Sequence, residues 1–131
     1  MSGAGETPPG ALCNLRNGAV LARRVERAVT MAARLRGLLG RSGLPEGGAL
    51  AIEPCTSLHT FFMRFPIDAL FLSRDGRVIR AISGLRPWRA TRIYPRAALA
   101  VELPAGTIAR TGTVEGDTLA YASRRTPGAA T

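Results

Sequence analysis

The sequence predicts an α+β fold that is mostly antiparallel β: a small barrel or curled sheet of about seven short strands with one main helix. Three observations carry this. Short apolar runs bounded by Gly, Pro, Asn and Asp recur along the whole chain. Two of the breaks, Asn17-Gly18 and Asp75-Gly76, favour tight hairpins because their residues tolerate positive φ. Only Thr30 to Gly40 has helical spacing, with Met31, Leu35, Leu38 and Leu39 on one stripe, Thr30 as a cap and Gly40 as a stop.

In chain order, Ala11 to Leu15 and Ala19 to Val25 form the first predicted hairpin. The helix follows, weakened by about 1 kcal/mol at Gly37, and then a loop from Ser42 to Gly48. Ala49 to Glu53 is a short strand stopped by Pro54. Cys55 to Phe65 is ambiguous, because its aromatics do not alternate cleanly. Ile67 to Ser73 and Val78 to Ser83 form a second hairpin across Arg74-Asp75-Gly76-Arg77. Gly84 to Pro95 is an arginine-rich loop in which Pro87 and Pro95 oppose regular structure. Ala97 to Leu103 is a strand, Ile108 to Gly112 a short helical turn, and Thr118 to Ala122 the last strand. Many short strands with turns between them suggest a barrel or curled sheet.

Composition bounds the rest. A chain of 131 residues is one domain's worth, large enough to bury a core without metal or disulfide. Hydrophobic residues make up 46% and aromatics only 5%, so the core must rest on Leu, Ile, Val and Ala. We expect a leader at 1–10, one globular domain at 11–123 and a tail at 124–131, with both ends disordered. The net charge is +9, and all 18 basic residues are arginine. Arginine binds phosphate and carboxylate bidentately, so an anionic partner is one reading; GC-rich coding is the other. The arginines are scattered with no run longer than two, unlike the clustered charge of nucleic-acid binders, so nucleic acid is a weak expectation. Cys13 and Cys55 form no CxxC pair and read as thiols in a reducing compartment. No secretory signal and no apolar run long enough to span a bilayer is present, which points to the cytoplasm.

The most informative stretch is His59-Thr60-Phe61-Phe62-Met63-Arg64-Phe65-Pro66-Ile67-Asp68. It holds the only histidine and three of the four phenylalanines. With the preceding Arg36-Gly37-Leu38-Leu39-Gly40-Arg41 and Cys55, and the later Phe71-Leu72, Asp75-Gly76, Pro87-Trp88-Arg89, Glu102-Leu103-Pro104-Ala105-Gly106 and Gly116-Asp117, it forms an ordered set. That set resembles the family called domain of unknown function 192, over roughly residues 12 to 122. The resemblance implies a small, mostly β α+β fold and no reaction. It also implies relatives that often carry an export signal or lipid anchor.

Several residues could carry chemistry. Cys55 and His59 share a face only in a helix, which Pro54 opposes, and no second Cys/His pair exists; neither a metal nor another cofactor is expected. A Cys55–His59 nucleophilic pair oriented by Asp68 or Glu102 would make a hydrolase or transferase, the alternative reading. Asp68 and Glu102 lie in apolar strands, so if they point inward they need partners, with Arg64 and Arg86 the natural ones. Strand alternation would send Phe61, Met63 and Phe65 one way and Phe62 and Arg64 the other. Trp88, in a loop beside arginine, suits either a binding surface or a lid. The leading expectation is a binding module for a small anion or an acidic partner peptide, through His59, Phe62, Arg64, Asp68, Arg86, Trp88 and Glu102. A structural or assembly subunit is the third reading.

Overall fold

The computed structural model describes residues 10–28 and 44–122. The expected helix at Thr30 to Gly40, most of the leader and the tail lie outside the described residues. Eight strands and one short helix are seen among them. They are β1 (Leu12–Asn14), β2 (Val20–Ala22), β3 (Arg24–Ala28), β4 (Gly48–Ile52), β5 (Ile67–Leu72), β6 (Val78–Leu85), β7 (Leu99–Pro104), α1 (Thr107–Thr111) and β8 (Leu119–Tyr121). The fold is α+β and mostly antiparallel β.

The strands form two sheets, ordered β2-β1-β8 and β3-β4-β7-β5-β6. Neither closes into the expected barrel. One outer edge of the larger sheet, β6, is met by the segment before β8, where the Val78 N–H donates to the Asp117 carbonyl at 2.8 Å and the Gly116 N–H to the Val78 carbonyl at 2.9 Å. The Glu115 carboxylate accepts the next outward N–H, from Ala81, at 3.1 Å. These contacts occupy the edge that a closing strand would need.

Two further expectations change. Ala19 to Val25 reads as one strand but divides at Arg23. The Arg23 and Arg24 N–H groups both donate to the Gly47 carbonyl, and the chain passes there from the small sheet to the large one. β3 then pairs with β4 in parallel. Residue periodicity carries no strand direction, so neither change is legible from the pattern. The two hairpins form as expected, β1–β2 across Gly18 and β5–β6 across Gly76. Gly76 has φ 88°, and a side chain on it would collide with the Leu119 carbonyl oxygen. The tip of the hairpin therefore seats directly on the start of β8.

β5 is buried along its whole length. Its alternate residues enter two cores, the pattern of a strand covered on both faces. Ile67, Ala69 and Phe71 join Leu50, Ile52, Cys55, Leu58, Met63 and Phe65 on one face. Leu70 and Leu72 join Val101, Leu103, Leu12, Leu21, Ile108 and Leu119 on the other. The small sheet and α1 thus cover one face, and the irregular 53–66 segment covers the second.

A polar lock closes the small sheet. The Asp117 carboxylate is buried and accepts from Asn14 Nδ2 at 2.9 Å, the Val114 N–H at 2.9 Å, and Arg16 Nε at 2.7 Å and Nη2 at 3.1 Å. The Arg16 guanidinium first, then the Val114 N–H and Asn14, hold its carboxyl far below the usual carboxylate range. The folded state therefore favours the ionised form more than the unfolded chain does. The lock is complete above the unfolded carboxylate pKa of about 4 and weakens as pH falls below it. Asp117→Asn is expected to cost about 2 kcal/mol at neutral pH. It should also flatten the decline of the urea midpoint between about pH 5 and pH 2. A variant declining as steeply as the parent would show that other carboxylates govern acid unfolding.

Candidate functional site

The segment 55–65 forms no strand. Its order comes from hydrogen bonds with the loop after β6. The Thr60 N–H donates to the Arg89 carbonyl at 2.8 Å, Thr91 N–H to the Leu58 carbonyl at 2.8 Å, and Tyr94 N–H to the Thr56 carbonyl at 2.8 Å. His59 and Ala90 form an antiparallel bridge.

Thr60, fully buried, is the hub of this contact. Its hydroxyl donates to the Arg86 carbonyl at 2.5 Å and accepts the Arg89 N–H at 2.9 Å. It therefore sits inside the Arg86–Arg89 turn, supplying the bonds that the turn would otherwise make across itself. The Thr60 carbonyl accepts the Trp88 N–H at 2.9 Å and the Met63 N–H at 3.2 Å. One residue thereby organises two adjacent turns, 60–63 and 86–89.

In each turn only the third residue has positive φ: Phe62 at 69° and Trp88 at 62°. That is the type II pattern, whose third position ordinarily takes glycine. Placing an L side chain there costs roughly 1–2 kcal/mol. Both rings nevertheless face solvent, Phe62 at 61% and Trp88 at 56% exposure. They touch at 4.7 Å between centroids, Phe61 lies 6.1 Å from Trp88, and His59 stacks on Phe61 at 4.8 Å. The His59 Nδ1 accepts the Phe61 N–H at 3.3 Å.

This arrangement departs from simple alternation. Met63 and Phe65 enter the core together, as alternation requires, but Phe61 joins Phe62 outside because the turn at 61–62 breaks the period. Arg64, Arg86, Arg89 and Arg92 are all exposed. No Asp or Glu occurs in 54–67 or 76–101. The surface is thus aromatic and cationic, without compensating carboxylates in its own segments.

Asp68 and Glu102 stand in the paired strands β5 and β7. Asp68 pairs across the sheet with Leu103, whereas Glu102 pairs with Ala69 and Leu50, so the two acids face opposite sides of it. Both are fully buried. The expected Arg partner of Asp68 is replaced by backbone. Its carboxylate accepts N–H groups from Gly84 at 2.9 Å, Gly106 at 3.1 Å and Ile108 at 2.8 Å. It thereby caps α1, whose N-cap, Gly106, has no side chain to do so. His59, Phe62 and Trp88 are brought together through a chain of ring contacts, Arg64 and Arg86 stand in the same two segments, and Asp68 holds the Gly84 N–H two residues before Arg86. Cys55 is buried and directs its thiol to the Ser57 carbonyl at 3.0 Å.

Sequence reasoning missed Thr60 and Phe61. A threonine inside an aromatic run carries no local mark of a buried hub. A cleft of about 330 Å³ is bordered by Arg23, Arg24, Leu44, Gly47 and Leu50, and by none of the seven expected residues.

Solved structures share this fold. A protein of unknown function from Novosphingobium aromaticivorans DSM 12444 superimposes with a TM-score of 0.70 at 18% identity, over 92% of this chain and 98% of that one. A candidate transcription regulator from Sinorhizobium meliloti 1021 superimposes with a TM-score of 0.67 at 24% identity, over 85% of this chain and 90% of that one. At these identities the likeness is one of fold. No curated protein matches the sequence. The family described as DUF192, Uncharacterized ACR, matches residues 13–121, covering both sheets and the Thr60-latched turns, and the chain belongs to this domain of unknown function 192 family.

Proposed function

We propose that the protein is a non-enzymatic binding module whose surface of His59, Phe62, Arg64, Arg86 and Trp88 takes an anionic partner, a small anion or an acidic peptide segment. The observation that supports this most is the pair of aromatic side chains at two glycine-type turn positions, both exposed and in contact. Backbone strain held in place by a buried hub, with the strained side chains turned to solvent, favours a role outside the fold. Exposed arginines beside the rings supply bidentate donors for carboxylate or phosphate. Asp68 belongs to the scaffold, as the cap of α1.

Trp88 is the only tryptophan, so its fluorescence reads this surface directly. Titration with pyrophosphate, citrate and an alternating Glu-Leu peptide should give a saturable emission change with at least one probe, weakened by salt. Phe62→Gly should weaken that binding about tenfold. Its unfolding free energy should stay within about 1 kcal/mol of the parent, because relieved strain offsets the lost ring contact and the added chain entropy. A large loss of stability would make Phe62 a packing residue. Absence of any saturable change would overturn the proposal.

A further inference from the structure

We infer that the small anions this surface takes are the phosphate groups of lipid headgroups, met peripherally at a bilayer by the two turns; this rests on the binding reading above. Phe61 and Phe62 occupy the apex of one turn and Trp88 that of the next, so the rings project. Here the apolar groups are themselves the anchors. Ile93, 70% exposed, is a further exposed apolar residue in the segment paired with 56–58.

The Trp indole favours the headgroup depth of a bilayer, where one end of the ring is dry and the other polar, and the Phe rings add apolar area at the acyl boundary. Arg64, Arg86, Arg89 and Arg92 stand in the same two segments, and no carboxylate occurs there to repel anionic lipid. Their apolar stems can lie along the rings while the guanidinium groups reach phosphate. Thr60 ties both turns to the core, so the rings are ordered before contact and little freedom is lost on docking. No helix among the described residues is long and apolar enough to cross a membrane, so these turns would provide a surface contact and not a span.

The test uses the full chain with vesicles of phosphatidylcholine, plain or with roughly one-third phosphatidylglycerol. With the anionic vesicles, Trp88 emission should shift to the blue and the protein should sediment with the lipid; plain vesicles should do neither. High salt should release it. Phe62→Gly and Arg64→Gln should each weaken the association about tenfold with urea midpoints close to the parent's. Sedimentation without a blue shift would mean attraction to the net charge alone and overturn the inference. No response to anionic vesicles, with the Glu-Leu peptide still perturbing Trp88, would sink the bilayer partner and leave the binding reading intact. No response to either would sink both.

Discussion

Asp68→Ala is expected to lower the unfolding free energy by about 4 kcal/mol. The carboxylate is fully buried and takes three backbone N–H groups from two distant places in the chain: one at the end of β6 and two at the N-terminus of α1. Alanine leaves all three donors without their acceptor, and the Ile108 N–H lies in a buried environment where water cannot replace it. α1 would fray, and Ile108 would leave the core it shares with Leu21 and Leu103. Arg110, which reaches back from α1 to the Val20 and Leu21 carbonyls at 3.4 and 3.5 Å, would lose its footing. Asp68→Asn should cost about half as much, since one oxygen still accepts but the amide nitrogen meets a donor. Urea unfolding measures both. An alanine variant within about 1 kcal/mol of the parent would mean that the three donors find other partners.

Thr60→Val is expected to cost about 2 kcal/mol while also dismantling the exposed aromatic surface. The substitution keeps shape and β-branching and removes only the hydroxyl. The Arg86 carbonyl and the Arg89 N–H are then left facing each other across a turn that does not close on its own. The backbone bonds of Thr60 to Arg89, Trp88 and Met63 remain, so the core should stay intact. The position of Trp88 should not. Acrylamide should quench Trp88 more readily, and binding to the proposed surface should fall with it. Thr60→Ser keeps the hydroxyl and should stay within about 1 kcal/mol of the parent, with binding retained. Equal behaviour of the valine and serine variants would show that the hydroxyl has no organising part.

Much of the fold is legible in local chemistry. Asn17-Gly18 and Asp75-Gly76 mark their hairpins because positive φ is a property of the residues themselves. The strands β4, β5, β6 and β7 follow from apolar runs and stop at the turns beside them. What local chemistry leaves open is partnership. The break at Arg23, the parallel pairing of β3 with β4 and the failure to close a barrel all depend on which edge reaches which neighbour first. Asp68 and Glu102 are two acids in similar apolar strands, yet the sheet register sends them to opposite faces and gives Asp68 a helix to cap.

The same division holds for the run from His59 to Asp68. The sequence by itself determines its composition: aromatics, one histidine and a cation without a nearby acid, followed by a carboxylate that burial obliges to find donors. Only the tertiary structure decides which rings are outside. The turn at Phe61-Phe62 breaks the two-residue period, and it holds because Thr60 is bonded to a loop some thirty residues away. Hydrogen bonds between distant segments leave no periodic trace in either segment. The pairing of Phe62 with Trp88, and with it the candidate surface, therefore appears only once the chain has folded.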